Sequence, residues 1–581
     1  MKLPAMKFVY RTSGLLFFLL CASAVNCLAL DREAFSFTNY DLNVQIEPEQ
    51  HRLGVRGKIT LRNDSPDPQK VAVLQISSSL DWRAIKAGDK TVQFVTQPYT
   101  SDIDHTGALS EAIVTLPQAL APKATIELEV AYEGVVPLDA TRLTRIGTPE
   151  DTAHSSDWDQ IGPAFTALRG AGYVAWYPIA TDVANLSEGN SLFDVLGRWK
   201  AREAGTKIQL HIDLTSSDNS GQPQIFFNDI LCVHKKPATA SESVAADCVS
   251  QPSHSGVPTL IITNDLVVTK PDLEVSYLRG HDVGATTFAD TAEKVAPLIS
   301  DWFGSFREKA QTVELPDPHA APFERGALLL TPLSDGDSKR AELAAAHQLT
   351  HAAFFSFRPW IEEGLAHFAQ ALYVESEKGR AAALDYMGLH RLALTEPTES
   401  TAVPRSEDEV NRSLVNTTNE ELYRSKAMYV WWMLRDMVGE PALKKAIAAY
   451  HPDQDKEPSY MPRLIATQTQ RDLEWFFDDW VYRDRGLPDF KVESAFSRKT
   501  MTGSFMLTIT LDNLGTAGAE VPVIIKFTGG EVMRRLEVHA KNKAVIRVET
   551  PSAPQEIVVN DGSIPESNKT NNVFKIESTE K

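Results

Sequence analysis

The stretch from Ala341 to Tyr373, AELAAAHQLTHAAFFSFRPWIEEGLAHFAQALY, carries the residue types best suited to chemistry. It reads as a helix bearing His347 and His351, a tight reversal, and a second helix bearing Glu363. Side chains four residues apart project from one face of a helix, one turn apart. Imidazole nitrogen and carboxylate oxygen are both ordinary zinc ligands, and two His plus one Glu leave a fourth position open for chemistry. Eleven residues, Ala352 to Glu362, separate His351 from Glu363. That length allows one more turn of the first helix and a reversal at Phe355-Ser-Phe-Arg. It places Pro359 near the start of the second helix, where a missing N–H costs little. Glu363 is then expected in the first turn of that helix, facing His351.

These residues resemble the gluzincin zinc peptidases, whose pattern is HExxH followed by a helix reading W-x-x-E-G-x-A. The two motifs stand here as His347-Gln-Leu-Thr-His351 and Trp360-Ile-Glu-Glu363-Gly-Leu-Ala366. The gap between them is shorter than in the M1 aminopeptidases, the best-known branch, and is similar to that of M1-like and peptidase MA-like relatives. The resemblance implies one zinc ion on His347, His351 and Glu363, and a peptide or protein as substrate or ligand. The chain departs from the family at Gln348, which stands where a glutamate takes the proton from the attacking water. An amide holds a water by hydrogen bonds but cannot accept its proton. General-base help is worth about 10²–10⁴-fold, or about 3–5 kcal/mol of barrier. Two expectations follow: a zinc metallopeptidase with impaired hydrolysis, or a catalytically inactive pseudopeptidase kept as a peptide- or protein-binding module.

Further matches extend the resemblance. Gly326-Ala327 stands twenty-one positions before His347, near where M1 enzymes place a G-A-M-E-N strand that pairs with substrate backbone and grips its free amine through the Glu. On that alignment Gly326 and Ala327 bind substrate, and the amine-gripping position is Leu329, whose apolar side chain cannot hold an ammonium group. Tyr423 resembles the M1 tyrosine of Y-x-K-G, a phenol that donates to the oxyanion formed during peptide attack. The run here is Tyr423-Arg-Ser-Lys426-Ala, with one extra residue before the lysine and alanine in place of glycine. The alternative is that Tyr423 is a packed helix residue, with Tyr429 a lesser candidate. His367, one turn after Glu363, reads either as a support for that carboxylate or as an ordinary helix histidine. Glu362 lies about 100° round the helix from Glu363, and Glu342 is too far back to reach the site.

The elements that must position these groups belong to a large acidic chain of 581 residues with formal net charge −19 and 43% hydrophobic residues. Such a charge argues against nucleic acid and anionic lipid as partners. Lys2, Lys7 and Arg11 precede the short apolar run GLLFFLLCASAV and an A-x-A site at Ala22-Ser23-Ala24. This reads as a signal peptide over residues 1–24, too short to span a bilayer. The chain is therefore expected to be exported, periplasmic or secreted, with no transmembrane span beyond that segment. Of four cysteines, Cys21 and Cys27 lie in or beside the segment, while Cys232 and Cys248 flank a polar loop. They read as a local disulfide or as two buried thiols.

The pattern predicts a multidomain α+β protein. Residues 30–264 alternate apolar and polar as in a β-domain resembling that of M1 proteins. Its aromatics Trp158, Tyr173, Trp176 and Tyr177 read as core more readily than as a substrate wall. From residue 265 the pattern turns to α+β, and the resemblance implies a thermolysin-like, mainly helical catalytic-type domain over residues 265–489. It includes an amphipathic helix from Asp290 to Lys309 and a short β segment, ERGALLLTPL. Its late segment, DLEWFFDDWVYRDRGLPDF, resembles the late M1 pattern D-L-x-x-F-F-x-x-W. Residues 490–581 return to β and fit a small immunoglobulin-like sandwich.

Overall fold

The computed structural model describes residues 30–188, 191–215, 222–235, 243–250, 256–333, 338–391, 394, 413–415, 417, 422–483 and 485–576. The expected signal peptide, most of the polar interval 395–420 and the last five residues lie outside the described residues.

The first strand, Phe35–Glu47, buries Tyr40, Leu42, Val44 and Ile46 on alternate positions, the period of two that puts one face of a strand on a core. It pairs antiparallel with Arg52–Asn63 and parallel with Lys207–Thr215 at the centre of an eight-stranded sheet. A three-stranded sheet, centred on Ala108–Leu120, and a four-stranded sheet containing Phe165–Leu168 complete this β region. Cys232 and Cys248 are joined by a disulfide. Trp176 and Tyr177 are fully buried, in keeping with the core reading.

A five-stranded sheet follows, ordered Leu266–Thr269, Leu273–Tyr277, Ala310–Glu314, Leu328–Thr331 and Phe323–Arg325. Here the structure corrects one expectation and sharpens another. The helix runs Asp282–Phe303 instead of Asp290 to Lys309, because Ala285, Phe288 and Ala289 extend its buried stripe backwards and Gly304 (φ 91°) ends it. The short β segment resolves into a hairpin, with Phe323–Arg325 antiparallel to Leu328–Thr331. Gly326 makes the turn with φ 54°, a conformation that glycine adopts without penalty.

Two helices then carry the candidate ligands, Ser338–Ala353 and Pro359–Lys378, with Pro359 at the start of the second as expected. The second is walled by Ala427–Val438, where Trp431 stacks on Trp360 with ring centroids 5.3 Å apart. Just before that wall, Leu422–Lys426 forms one π-helical turn. Two C-terminal sheets, of three and four strands, bury Leu507, Ile509, Val523, Ile525 and Val559. Trp480 Nε1 donates to Gly518 O at 2.7 Å, tying the last helices to these sheets. Among the described residues no helix is long and apolar enough to cross a membrane.

Candidate metal centre

His347 and His351 sit on successive turns of the first site helix with their Nε2 atoms 3.1 Å apart. Glu363, opening the second turn of the facing helix, brings Oε2 to 3.7 Å from His347 Nε2 and Oε1 to 3.7 Å from His351 Nε2. One donor atom from each of the three lies within 4.8 Å of the others. The helices approach this closely because of Gly364. A Cβ there would stand 2.6 Å from Ala427 Cβ and 2.9 Å from Trp431 Nε1, so any larger residue pushes the helix and its Glu363 away from the wall.

The donor set fits a divalent cation of the zinc type. Two imidazole nitrogens facing each other across 3.1 Å cannot both carry protons, and Glu363 Oε2 is buried without a hydrogen bond. Burial pushes His351 down to about 4, so it is neutral and ready to ligate at neutral pH. Burial would raise the Glu363 carboxyl, but Arg424 and the neighbouring imidazoles hold it well below the usual carboxylate range. The Arg424 guanidinium lies 3.3 Å from Glu363 Oε2. For His347, burial is outweighed by the carboxylate of Glu324, which raises it.

Gln348 is turned away from this cluster. Its Nε2 donates to Gln311 O at 2.7 Å and to Ala327 O at 3.0 Å, and its Oε1 accepts from Thr312 Oγ1 at 3.1 Å. The amide expected to hold a water is instead a bolt between helix and sheet, buried to 1% exposure. Gly326 and Ala327, expected to pair with substrate, form the turn between the two strands of the hairpin. The Ala327 carbonyl already accepts from Gln311 N at 2.8 Å and from Gln348, which uses both of its lone pairs. Leu329 is core, 1% exposed, and pairs in register with Thr312 on one side and Glu324 on the other.

Glu324 is the residue that sequence reasoning missed. It lies on the edge strand, and its Oε2 is 2.9 Å from His347 Nε2. Reading Gly326 as a turn instead of the first residue of a strand would have found it, since that places a carboxylate on the preceding strand. The second missed residue is Arg424. The extra residue noted after Tyr423 is absorbed by the π-helical turn, as such turns are single-residue insertions in helices. Tyr423 itself is buried in that turn. The His367 ring packs 4.9 Å from His347 and 5.6 Å from His390, with no hydrogen bond to Glu363. Glu362 Oε1 lies 3.8 Å from His351 Nδ1, and Glu342 faces Lys294, 3.8 Å away.

No protein-family model matches the sequence, and no curated protein matches it either. Among solved structures the chain is similar to Legionella pneumophila aminopeptidase A in complex with aspartic acid, with TM-score 0.58 and 13% identity. That match covers 92% of this chain, which spans 59% of the Legionella chain. It is also similar to an M1 zinc metallopeptidase from Deinococcus radiodurans, with TM-score 0.47 and 17% identity over 79% of this chain and 96% of that one. A mutant of the Deinococcus protein bound to a Tyr-Ser-Ala substrate aligns with TM-score 0.49 and 17% identity over the same shares. At 13% identity the first likeness shows the fold alone: this chain has the mixed α/β multidomain fold of the Legionella aminopeptidase.

Proposed function

We propose that this is an exported, M1-like metallopeptidase-family protein. It holds one zinc ion on His347, His351 and Glu363 and binds the amino end of a peptide or protein, with hydrolysis impaired. The observation that carries the reading is the three-ligand cluster within 4.8 Å on an M1-like fold. A zinc ion held there supplies Lewis-acid polarisation of a peptide carbonyl and makes water more acidic.

The remaining chemistry falls to the chain's own residues. Glu324 offers a carboxylate to an ammonium group from the edge strand. That strand ends the five-stranded sheet, and an extended peptide adds to such an edge through main-chain hydrogen bonds. This replaces the expectation that Leu329 leaves the amine without a partner. Tyr423 and the Arg424 guanidinium supply donors for an oxyanion, the guanidinium with a full positive charge. Gln348 takes no proton, since an amide is not basic and its Oε1 already accepts from Thr312 Oγ1. The same three hydrogen bonds favour a second reading, a pseudopeptidase that binds amino termini and turns nothing over.

Zinc stoichiometry on the purified protein tests the common part. One tightly held zinc, lost in His351→Ala, supports it, and no zinc after incubation with the metal overturns it. Peptide turnover by the zinc-loaded protein, abolished in His351→Ala, selects the impaired enzyme. Peptide binding without turnover selects the pseudopeptidase.

A further inference from the structure

The edge strand bearing Glu324 is gripped from the side opposite the metal cluster. Successive residues of a strand point to opposite faces, so Phe323 and Arg325 face one way and Glu324 the other. Both outward residues meet the N-terminal β region. The Phe323 ring presents its face or edge to Tyr173 at 5.6 Å and to Trp158 at 6.5 Å, in T-shaped contacts of 88° and 81°. Arg325 Nε donates to Val257 O at 3.2 Å. The chain leading into the strand is held too, with Ala321 N donating to Ser155 O at 2.7 Å and Ala321 O accepting from Trp158 Nε1 at 3.0 Å.

Behind the two aromatics stands one buried cation. The Arg169 guanidinium carbon lies 3.6 Å from the Trp158 ring centroid, 3.8 Å from that of Tyr173 and 5.5 Å from that of Phe323. It is locked by Asp159, which accepts from Arg169 Nε at 2.9 Å, Nη2 at 2.7 Å and the backbone N–H at 2.7 Å. Both side chains are almost fully buried. A cation held against two ring faces fixes where those rings stand, and the rings fix Phe323.

We infer that Arg169, acting through Trp158, Tyr173 and Phe323, is a positioning residue for Glu324 and so sets how well the site recognises a free amino terminus. This rests on the reading of Glu324 as the amine-binding carboxylate. A carboxylate displaced by about 1 Å loses most of its advantage for a bound ammonium, whereas His347, His351 and Glu363 sit on the two site helices and are not members of this cage.

The test uses the full-length, zinc-loaded protein and isothermal titration with trialanine and N-acetyl-trialanine. The ratio of their affinities measures amine recognition. Phe323→Ala and Arg169→Met are each expected to lower that ratio about tenfold, with N-acetyl-trialanine affinity and zinc stoichiometry unchanged and Phe323→Tyr close to the natural protein. Arg169→Met strands a buried Asp159 and can fail to fold, but Phe323 is only half-buried, so Phe323→Ala keeps the inference falsifiable. An unchanged ratio in Phe323→Ala overturns it, as does an equal loss for both peptides. Glu324→Gln separates the two levels. If it leaves the ratio intact, the amine-binding reading itself fails. If it abolishes a ratio that Phe323→Ala preserves, only the positioning role fails.

Discussion

Restoring a glutamate at position 348 would ordinarily be the way to revive such a site, and here it carries a structural penalty. Gln348 donates to two strand carbonyls, Gln311 O at 2.7 Å and Ala327 O at 3.0 Å. In Gln348→Glu those carbonyls face a carboxylate oxygen, which must take up a proton or swing out. The Ala327 carbonyl keeps its bond from Gln311 N, so the metal-free variant is expected to lose about what one buried polar group deprived of its partner costs, about 1–3 kcal/mol. That is a fall of roughly 0.5–1 M in the urea midpoint. Turned toward a zinc-loaded site, the carboxylate gains a role as proton acceptor, and part of the loss returns. Gln348→Met is the control, since it removes both donors without adding a charge. Urea titrations followed by tryptophan fluorescence, with and without zinc, should rank natural protein, Met variant and Glu variant in falling order without metal. Zinc should rescue the Glu variant selectively. A metal-free Gln348→Glu protein as stable as the natural one would refute the bolt, as would equal rescue of both variants by zinc.

Other expectations follow from single sites. Glu203 lines a cavity of about 30 Å³ with Trp199, Tyr177 and Arg325, and burial pushes its carboxyl up to about 8 against the pull of Arg202 and the Phe37 N–H. The folded protein therefore keeps a proton that the unfolded chain releases, and stability falls as pH rises from the ordinary carboxylate range to about 8. The slope from this group is at most ~1.4 kcal/mol per pH unit, flat above that window. Glu203→Gln should remove this component from the pH dependence of the urea midpoint, and an unchanged profile would contradict the assignment. Gly364→Ala forces a methyl against Ala427 and Trp431 and should cost about 1–3 kcal/mol. It should also lower zinc stoichiometry by moving Glu363; a variant that folds less stably yet keeps full zinc would show that the helices part elsewhere.

The cluster of His347, His351 and Glu363 was legible because it is local. Spacing alone puts His347 and His351 on one face, and Pro359 marks where the second helix starts. The direction of the Gln348 side chain was not legible, since the carbonyls that hold it belong to residues 311 and 327, on strands brought there by the sheet. Glu324 was hidden for a related reason. Whether Gly326 begins a strand or turns a hairpin depends on its positive φ, and the neighbour that a Cβ there would meet, Asp229, is distant in sequence. Arg424 was hidden by the extra residue after Tyr423, which looked like a defect in a motif and is a π-helical turn. The helix ending at Phe303 was overrun because Phe306 continues the apolar period past the glycine that stops it.

The edge strand has two owners. Its main-chain pairing comes from the sheet beneath the helices, while the Phe323 side chain is seated among residues some 150 positions earlier in the chain, Trp158 and Tyr173. The site is therefore not a heritable cassette. Recombination that exchanged the N-terminal β region for a relative's would carry over every metal ligand and still deliver Glu324 to a different place. Changes in Phe323 and changes in its aromatic seat are consequently expected to be tolerated together and not apart.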